Sequence, residues 1–295
     1  MRKKLCLHWL RPFRIASFCL FTMVGIIPSF SRAQDVPILS WWEQVFAFDN
    51  YDRQEAIDDL LAPIIHEISP SSEASLDKRV ARVRQFISGN SVNIVDEQMY
   101  SYWSNMPRQL EMLRAHSKNP DKPLPHMECA MRTVVMYELL KKMGITSRII
   151  IVYPDTPSYI SHTYLEIYDP KTARWSIQDP LLNIYWRFKN SDRRASTADL
   201  LKYPIRETFV PCHARTGCNY TTEIENMLGY FAMAQIADLG SADNPVMFNP
   251  ARYDSARLDD FFSRQRFYCD ILVKGCSQDV ISIQSGSMVA NAPKD

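Results

Sequence analysis

What this sequence most plainly lacks is an excess of charge of either sign. Its 34 lysines and arginines meet 33 aspartates and glutamates, a formal net charge of +1 over 295 residues. Such a balance selects neither a polyanion such as nucleic acid nor a strongly acidic partner, so function must reside in a specific pocket. Internal repeats and low-complexity blocks are also missing, and the mature chain therefore reads as one domain with extensions. No apolar run is long enough to span a bilayer: IASFCLFTMVGIIPSF falls short of about 20 residues and is ended by Pro28. What remains is a globular composition, 46% hydrophobic and 23% charged, with ample material for a core.

The N-terminal stretch has the build of a targeting segment. MRKKLCLHWLRPFR is basic, the apolar run follows, and Ser31 and Ala33 place small residues three and one before a cut. We expect a signal peptide over residues 1–33, cleaved after Ala33, and hence a secreted or periplasmic protein with no stable membrane insertion. Cleavage removes Cys6 and Cys19 and leaves Cys129, Cys212, Cys218, Cys269 and Cys276 in an oxidising compartment. Four of these can pair and one is left over. The closely spaced couples Cys212/Cys218 and Cys269/Cys276 lie late in the chain, which points to Cys129 as the odd thiol, although four cysteines allow three connectivities. Together with His213 the late cysteines fit no common zinc spacing, so disulfides are expected there and neither metal nor cofactor is called for.

Residues 34–123 read as a helical N-terminal region, because YDRQEAIDDLLAPIIHEI, SEASLDKRVARVRQFI and PRQLEMLRAH carry apolar residues at three and four spacing. Ser72 or Ser75 is positioned to cap the second of these. The linker SKNPDKPLP then breaks helix repeatedly. A core over 124–190 follows. Its helix runs Glu128 to Met143 and stops at Gly144, so Cys129 sits in the first turn. Strands are expected at Ser147 to Val152, His162 to Tyr168 and around Trp175 to Gln178. Residues 191–276 form a C-terminal extension, with helical patterns in TTEIENMLGYFAMAQIADL and SARLDDFFSRQRF, and 277–295 is a polar tail expected to be disordered. The fold class is α+β, a helix packed on an antiparallel sheet.

A helix N-terminus favours negative charge, so a thiol there is expected to have a lowered pKa and to act as a nucleophile. A lone cysteine is more often a small buried hydrophobe, and the decision rests on whether a base is near. The stretch HTYLEIYDPKTARWSIQDP supplies one. If Asp169 to Thr172 is a four-residue hairpin loop, Tyr168 faces Ala173, Glu166 faces Trp175, Tyr164 faces Ile177 and His162 faces Asp179. An Asp179 carboxylate would then hold the His162 imidazole. His126, three residues before Cys129, reads as a solvated loop histidine. Tyr185, Trp186 and Phe188 read as core, and Asn219-Tyr220-Thr221 is a glycosylation sequon open to chance.

The order Cys129, helix, MGITSR, strand, SHTYLEIYD, WSIQDP resembles the transglutaminase-like superfamily, relatives of papain-type cysteine peptidases, over about residues 124–190. Gly144, Ile145 and Arg148 match its Gly-Ile-x-x-Arg element, His162 its strand-opening histidine, and Trp175, Asp179 and Pro180 its Trp-x-x-x-Asp-Pro strand. The resemblance implies a papain-like core and a Cys129–His162–Asp179 triad without cofactor. Cys129 would attack an amide or ester carbonyl of a protein, peptide or cell-envelope substrate and form an acyl-thioester that passes to water or an amine. The Cys129 N–H would be one oxyanion donor, with Gln98, Tyr100 and Trp103 as candidates for the second. Met127 stands where many secreted members have Gly, and Ala130 where animal transglutaminases often have Trp. Two other functions fit the pattern: a non-catalytic module binding peptide, cell-wall or polysaccharide-assembly partners, and acyl transfer from a small activated donor.

Overall fold

The computed structural model describes residues 51–68, 75–103, 105–154, 161–237, 246–249 and 280–282. The expected signal peptide, its cleavage site, Cys269, Cys276 and the helical pattern at SARLDDFFSRQRF lie outside the described residues. Five helices come first: α1 Tyr51–Ile68, α2 Leu76–Gly89, α3 Glu97–Tyr100, α4 Met106–Lys118 and α5 Cys129–Lys142. Ser75 stands at the N-cap position of α2 but makes no side-chain cap bond, whereas Asn105 caps α4 by accepting from the Arg108 N–H. The end of α5 follows from Gly144. With φ at +68° it takes the left-handed conformation, and the Ile145 and Gly144 amides close back on Leu140 and Lys141 in a Schellman motif.

The strands are β1 Ser147–Tyr153, β2 His162–Asp169, β3 Arg174–Asp179, β4 Ile184–Phe188, β5 Phe209–His213, β6 Gly217–Cys218, β7 Met233–Ala237, β8 Val246–Phe248 and β9 Val280–Ser282. They form one sheet in the order β6-β5-β4-β3-β2-β1-β7-β8-β9. All neighbours are antiparallel except β8 and β9. The short helices α6 Thr197–Lys202, α7 Ile205–Thr208 and α8 Thr222–Met227 lie between the later strands. The molecule is thus α+β, with its helices leading into an antiparallel sheet.

The run Ile149-Ile150-Ile151-Val152 shows why β1 is central. Ile149 and Ile151 join Leu165, Ile167 and the apolar residues of α1, α2, α4 and α5 in one buried cluster. Ile150 and Val152 join Tyr164, Ile177, Trp186, Phe209 and the α6 residues Leu200 and Leu201 in another. Alternation along a strand divides such a run between the two faces, and here both faces are covered. Trp186 is core, as read from the sequence.

Two stretches depart from the sequence reading. The helical pattern of TTEIENMLGYFAMAQIADL holds only to Met227; a 3-10 turn follows, and Met233–Ala237 pairs with β1 as β7. Met233 and Ala237 face the helical side while Ala234 faces the other, so the open edge of β1 imposes a two-residue period on a segment with helical spacing. Val280–Ser282, inside the stretch expected to be disordered, pairs with β8, where its β-branched residues suit a strand.

Candidate active site

The site is built from the N-terminus of α5 and the ends of β2 and β3. Glu128 is the N-cap of α5, in extended conformation, and its carboxylate accepts from the amides of Ala130 at 2.8 Å and Met131 at 2.9 Å. The Cys129 thiol donates to the same carboxylate at 3.0 Å. The expectation of a lowered thiol pKa therefore needs correction. Cys129 is half-buried, and loss of solvent around its sulfur pushes the thiol well above its usual value, to which the charge and hydrogen bond of Glu128 and the more distant charge of Asp179 add. The helix N–H groups that would stabilise a thiolate are occupied by Glu128. Acting the other way are the Thr163 backbone amide and the Arg132 cation, both of which favour the thiolate.

Thr163 is also where α5 is fastened to β2, through the Thr133 hydroxyl donating to its carbonyl at 3.0 Å. The residue before it is His162. Its Nε2 lies 2.8 Å from Asp179 Oδ2, both side chains being buried. Since a carboxylate only accepts, Nε2 carries the proton and Nδ1 keeps its lone pair in the neutral ring. Asp179 Oδ1 is held in turn by the amides of Leu181 at 2.8 Å and Leu182 at 3.1 Å. These fix the carboxylate before the histidine does.

The two side chains meet in a register different from the expected one. Asp169 pairs with Arg174, Tyr168 with Trp175 and Glu166 with Ile177, two residues out from the sequence reading. Pro170 to Ala173 form the loop, closed by Ala173 in the left-handed region at φ +52°. A two-residue shift leaves every side chain on its face, so His162 and Asp179 become diagonal rather than direct neighbours. A one-residue shift would have separated them.

Two buried arginines around this pair were not singled out from the sequence. Arg132, one turn after Cys129, is buried and donates to the Met127 carbonyl and the Leu181 carbonyl, both at 3.0 Å. It thereby clamps the segment before Cys129 to the turn after Asp179. Arg84, from α2, is buried too and bonds Asn183 Oδ1 at 3.0 Å and Gln178 Oε1. Burial draws both guanidinium pKa values down to about 10, against which Asp179 acts as counter-charge. The available signal was a charged residue inside the apolar run CAMRTVVMYELL. Arg148, of the MGITSR element, pairs with the fully buried Glu166 at 2.6 Å and lies 4.1 Å over the Trp175 ring. Glu166 also accepts from the Thr197 amide at the start of α6.

His126 is tied down rather than solvated: its Nδ1 lies 2.8 Å from Asp96 Oδ2, and its amide donates to the buried Tyr102 hydroxyl. Val92 bonds Pro125 and Met127 on the same segment, which brings the 92–103 loop against the approach to Cys129. Of the oxyanion candidates in that loop, Gln98 and Tyr100 are exposed and Trp103 is half-buried. Cys212 and Cys218 form a disulfide across the β5–β6 pair. Among the described residues Cys129 is the free cysteine, no cluster suits a metal ion, and no helix is long and apolar enough to cross a membrane.

No family model and no curated protein matches this chain. Among solved structures it is similar to a TGase at 13% identity and a TM-score of 0.32, over 50% of this chain and 36% of that one. It is similar to Rad4–Rad23 bound to a 6-4 photoproduct UV lesion at 12% identity and a TM-score of 0.33, over 77% of this chain and 52% of that one. Red sea bream transglutaminase gives 10% identity and a TM-score of 0.34, over 77% and 42%. The chain thus spans between about a third and a half of the length of these structures. Likenesses this distant carry no weight for function.

Proposed function

We propose that this protein is a secreted or periplasmic transglutaminase-like cysteine enzyme that hydrolyses amide bonds or transfers their acyl groups to an amine. The observation that carries the reading is the buried His162–Asp179 hydrogen bond, on the strand whose next residue, Thr163, is tied by its carbonyl to Thr133, one turn after Cys129 on α5. In this mechanism His162 Nδ1 takes the thiol proton while Nε2–H stays on Asp179. The sulfur attacks the carbonyl carbon of a protein, peptide or cell-envelope amide, and the C–N bond then breaks as the imidazolium gives its proton to the leaving amine. Water or a second amine, deprotonated by the same ring, releases the acyl group from sulfur. No step calls for a metal or cofactor.

The test is capture of the acyl-thioester. Protein incubated with peptide amides is quenched with hydroxylamine, and acyl hydroxamate together with amine release are measured for wild type, Cys129→Ser and His162→Ala. Turnover that survives Cys129→Ser would overturn the reading. A second reading has a specific observation in its favour: the thiol held on Glu128, with its raised pKa, is what a non-catalytic binding module would keep. That module would bind peptide or cell-wall fragments equally well with Ser at 129 and form no thioester.

A further inference from the structure

We infer that Glu128 keeps the nucleophile latent: its carboxylate is the resting acceptor of the Cys129 thiol hydrogen, and the thiol reaches His162 only when it gives up that bond. This rests on the proposed Cys129–His162–Asp179 mechanism and adds a residue to it that the sequence did not single out.

The geometry makes the Glu128 side chain a fixed partner rather than a passing one. Its Oε1 takes the Met131 amide, and its Oε2 takes both the Ala130 amide and the thiol. Moving the carboxylate would uncap α5, with two helix amides left open. Rotating the thiol costs far less, since it only moves one side chain between staggered wells. Release therefore occurs at the sulfur.

The charges around the sulfur oppose an ionised resting state. Glu128 lies on its own helix and Asp179 across on β3, both anionic; Arg132, one turn along α5, is the compensating cation; the Thr163 amide and the adjacent His162 come from β2. When the thiol turns away from Glu128, its S–H bond breaks as an N–H bond forms on His162 Nδ1, and the net charge of the site is unchanged. The thiolate so formed still lies beside a fixed carboxylate and persists only while a carbonyl is there to accept it. A free thiol guarded in this way resists alkylation and oxidation, which suits a protein carrying a disulfide elsewhere.

The experiment is the pH dependence of iodoacetamide alkylation at Cys129, located by peptide mass, in wild type, Glu128→Gln, Glu128→Ser and His162→Ala, and in each Glu128 variant combined with His162→Ala. Serine and glutamine are both neutral, and serine is itself a good N-cap, so one variant decides if the other fails to fold. Removing the charge is expected to speed alkylation at pH 7 about tenfold or more, a fall of about one unit in apparent pKa. Folded neutral variants that alkylate no faster than wild type overturn the inference. If acylation by p-nitrophenyl acetate still depends on His162 in that case, the triad survives without it. Faster alkylation that ignores His162→Ala keeps Glu128 as the restraint and removes the triad. A wild-type thiol titrating at or below about 8.5, as free cysteine does, overturns the inference without any variant.

Discussion

Asp179→Asn separates the chemical role of this residue from its structural one. The carboxylate makes three hydrogen bonds: His162 Nε2 on Oδ2, and the Leu181 and Leu182 amides on Oδ1. Asparagine keeps an oxygen for the two amides but turns an NH2 group toward His162. The ring must then accept at Nε2 and carry its proton on Nδ1, where it can no longer take one from the thiol. All three charge-assisted hydrogen bonds become ordinary ones beside two buried guanidiniums, at a cost of about 2–3 kcal/mol in stability. The catalytic loss is larger, about 10²- to 10⁴-fold, the usual worth of a positioned base. Acylation by p-nitrophenyl acetate, read as phenolate release, measures the second effect, and urea unfolding of the same preparation the first. Asp179→Ala, by contrast, strands two amides and an imidazole N–H and is expected to lose about 3–5 kcal/mol. An Asn variant that is folded and acylates within about threefold of wild type would refute the role given to Asp179.

Other predictions follow from neighbouring groups. Arg132→Met strands the Met127 and Leu181 carbonyls and leaves Asp179 and Glu128 without their shared cation; a loss of about 3 kcal/mol in the urea midpoint analysis is expected, and no loss would refute the clamp. Glu138 is buried on α5 and its carboxyl is raised above 4.5, first by burial and also by Asp58, with Lys141 opposing from 3.8 Å. An acid raised on folding binds its proton more tightly in the folded state, so its ionisation destabilises, from the unfolded value upward and fully above the folded one. Glu138→Gln is accordingly expected to raise the melting temperature at pH 7 and to lose that advantage below the unfolded value; an equal gain at both would refute the assignment. Replacing Cys212 and Cys218 by serine opens a loop with a separation of six and is expected to cost about 2 kcal/mol, with the variant's melt then indifferent to dithiothreitol.

The local signals in the sequence located elements better than partners. The helix opening at Cys129 and the stop at Gly144 were legible because capping and left-handed glycine act within a few residues. The His162–Asp179 pairing was legible for a different reason: the two-residue side-chain period tolerated a register misjudged by two. The strand Met233–Ala237 was not, since its conformation is imposed by the edge of β1, over 80 residues away in the chain. The same holds for Arg84, whose partners Gln178 and Asn183 lie 94 and 99 residues on. Glu128 was missed. It was named only as the first residue of the helix, and the helix field was assigned to the thiol, although the Glu128 carboxylate holds the same amides.

That competition explains why the site carries two buried arginines. Asp179 is buried and Glu128 half-buried, both are fixed by backbone amides so that neither can leave, and two anions held this close to the core would be costly without counter-charge. Arg132 and Arg84 bring the formal charge of the four groups to zero. Proton transfer from Cys129 to His162 adds one negative and one positive charge and preserves that balance, so the energetic obstacle to reaction is local and not global. It lies in the few ångströms between the sulfur and Glu128, 3.0 Å at rest. A substrate that draws electron density off the sulfur as it forms a bond lowers that obstacle only at the moment of attack.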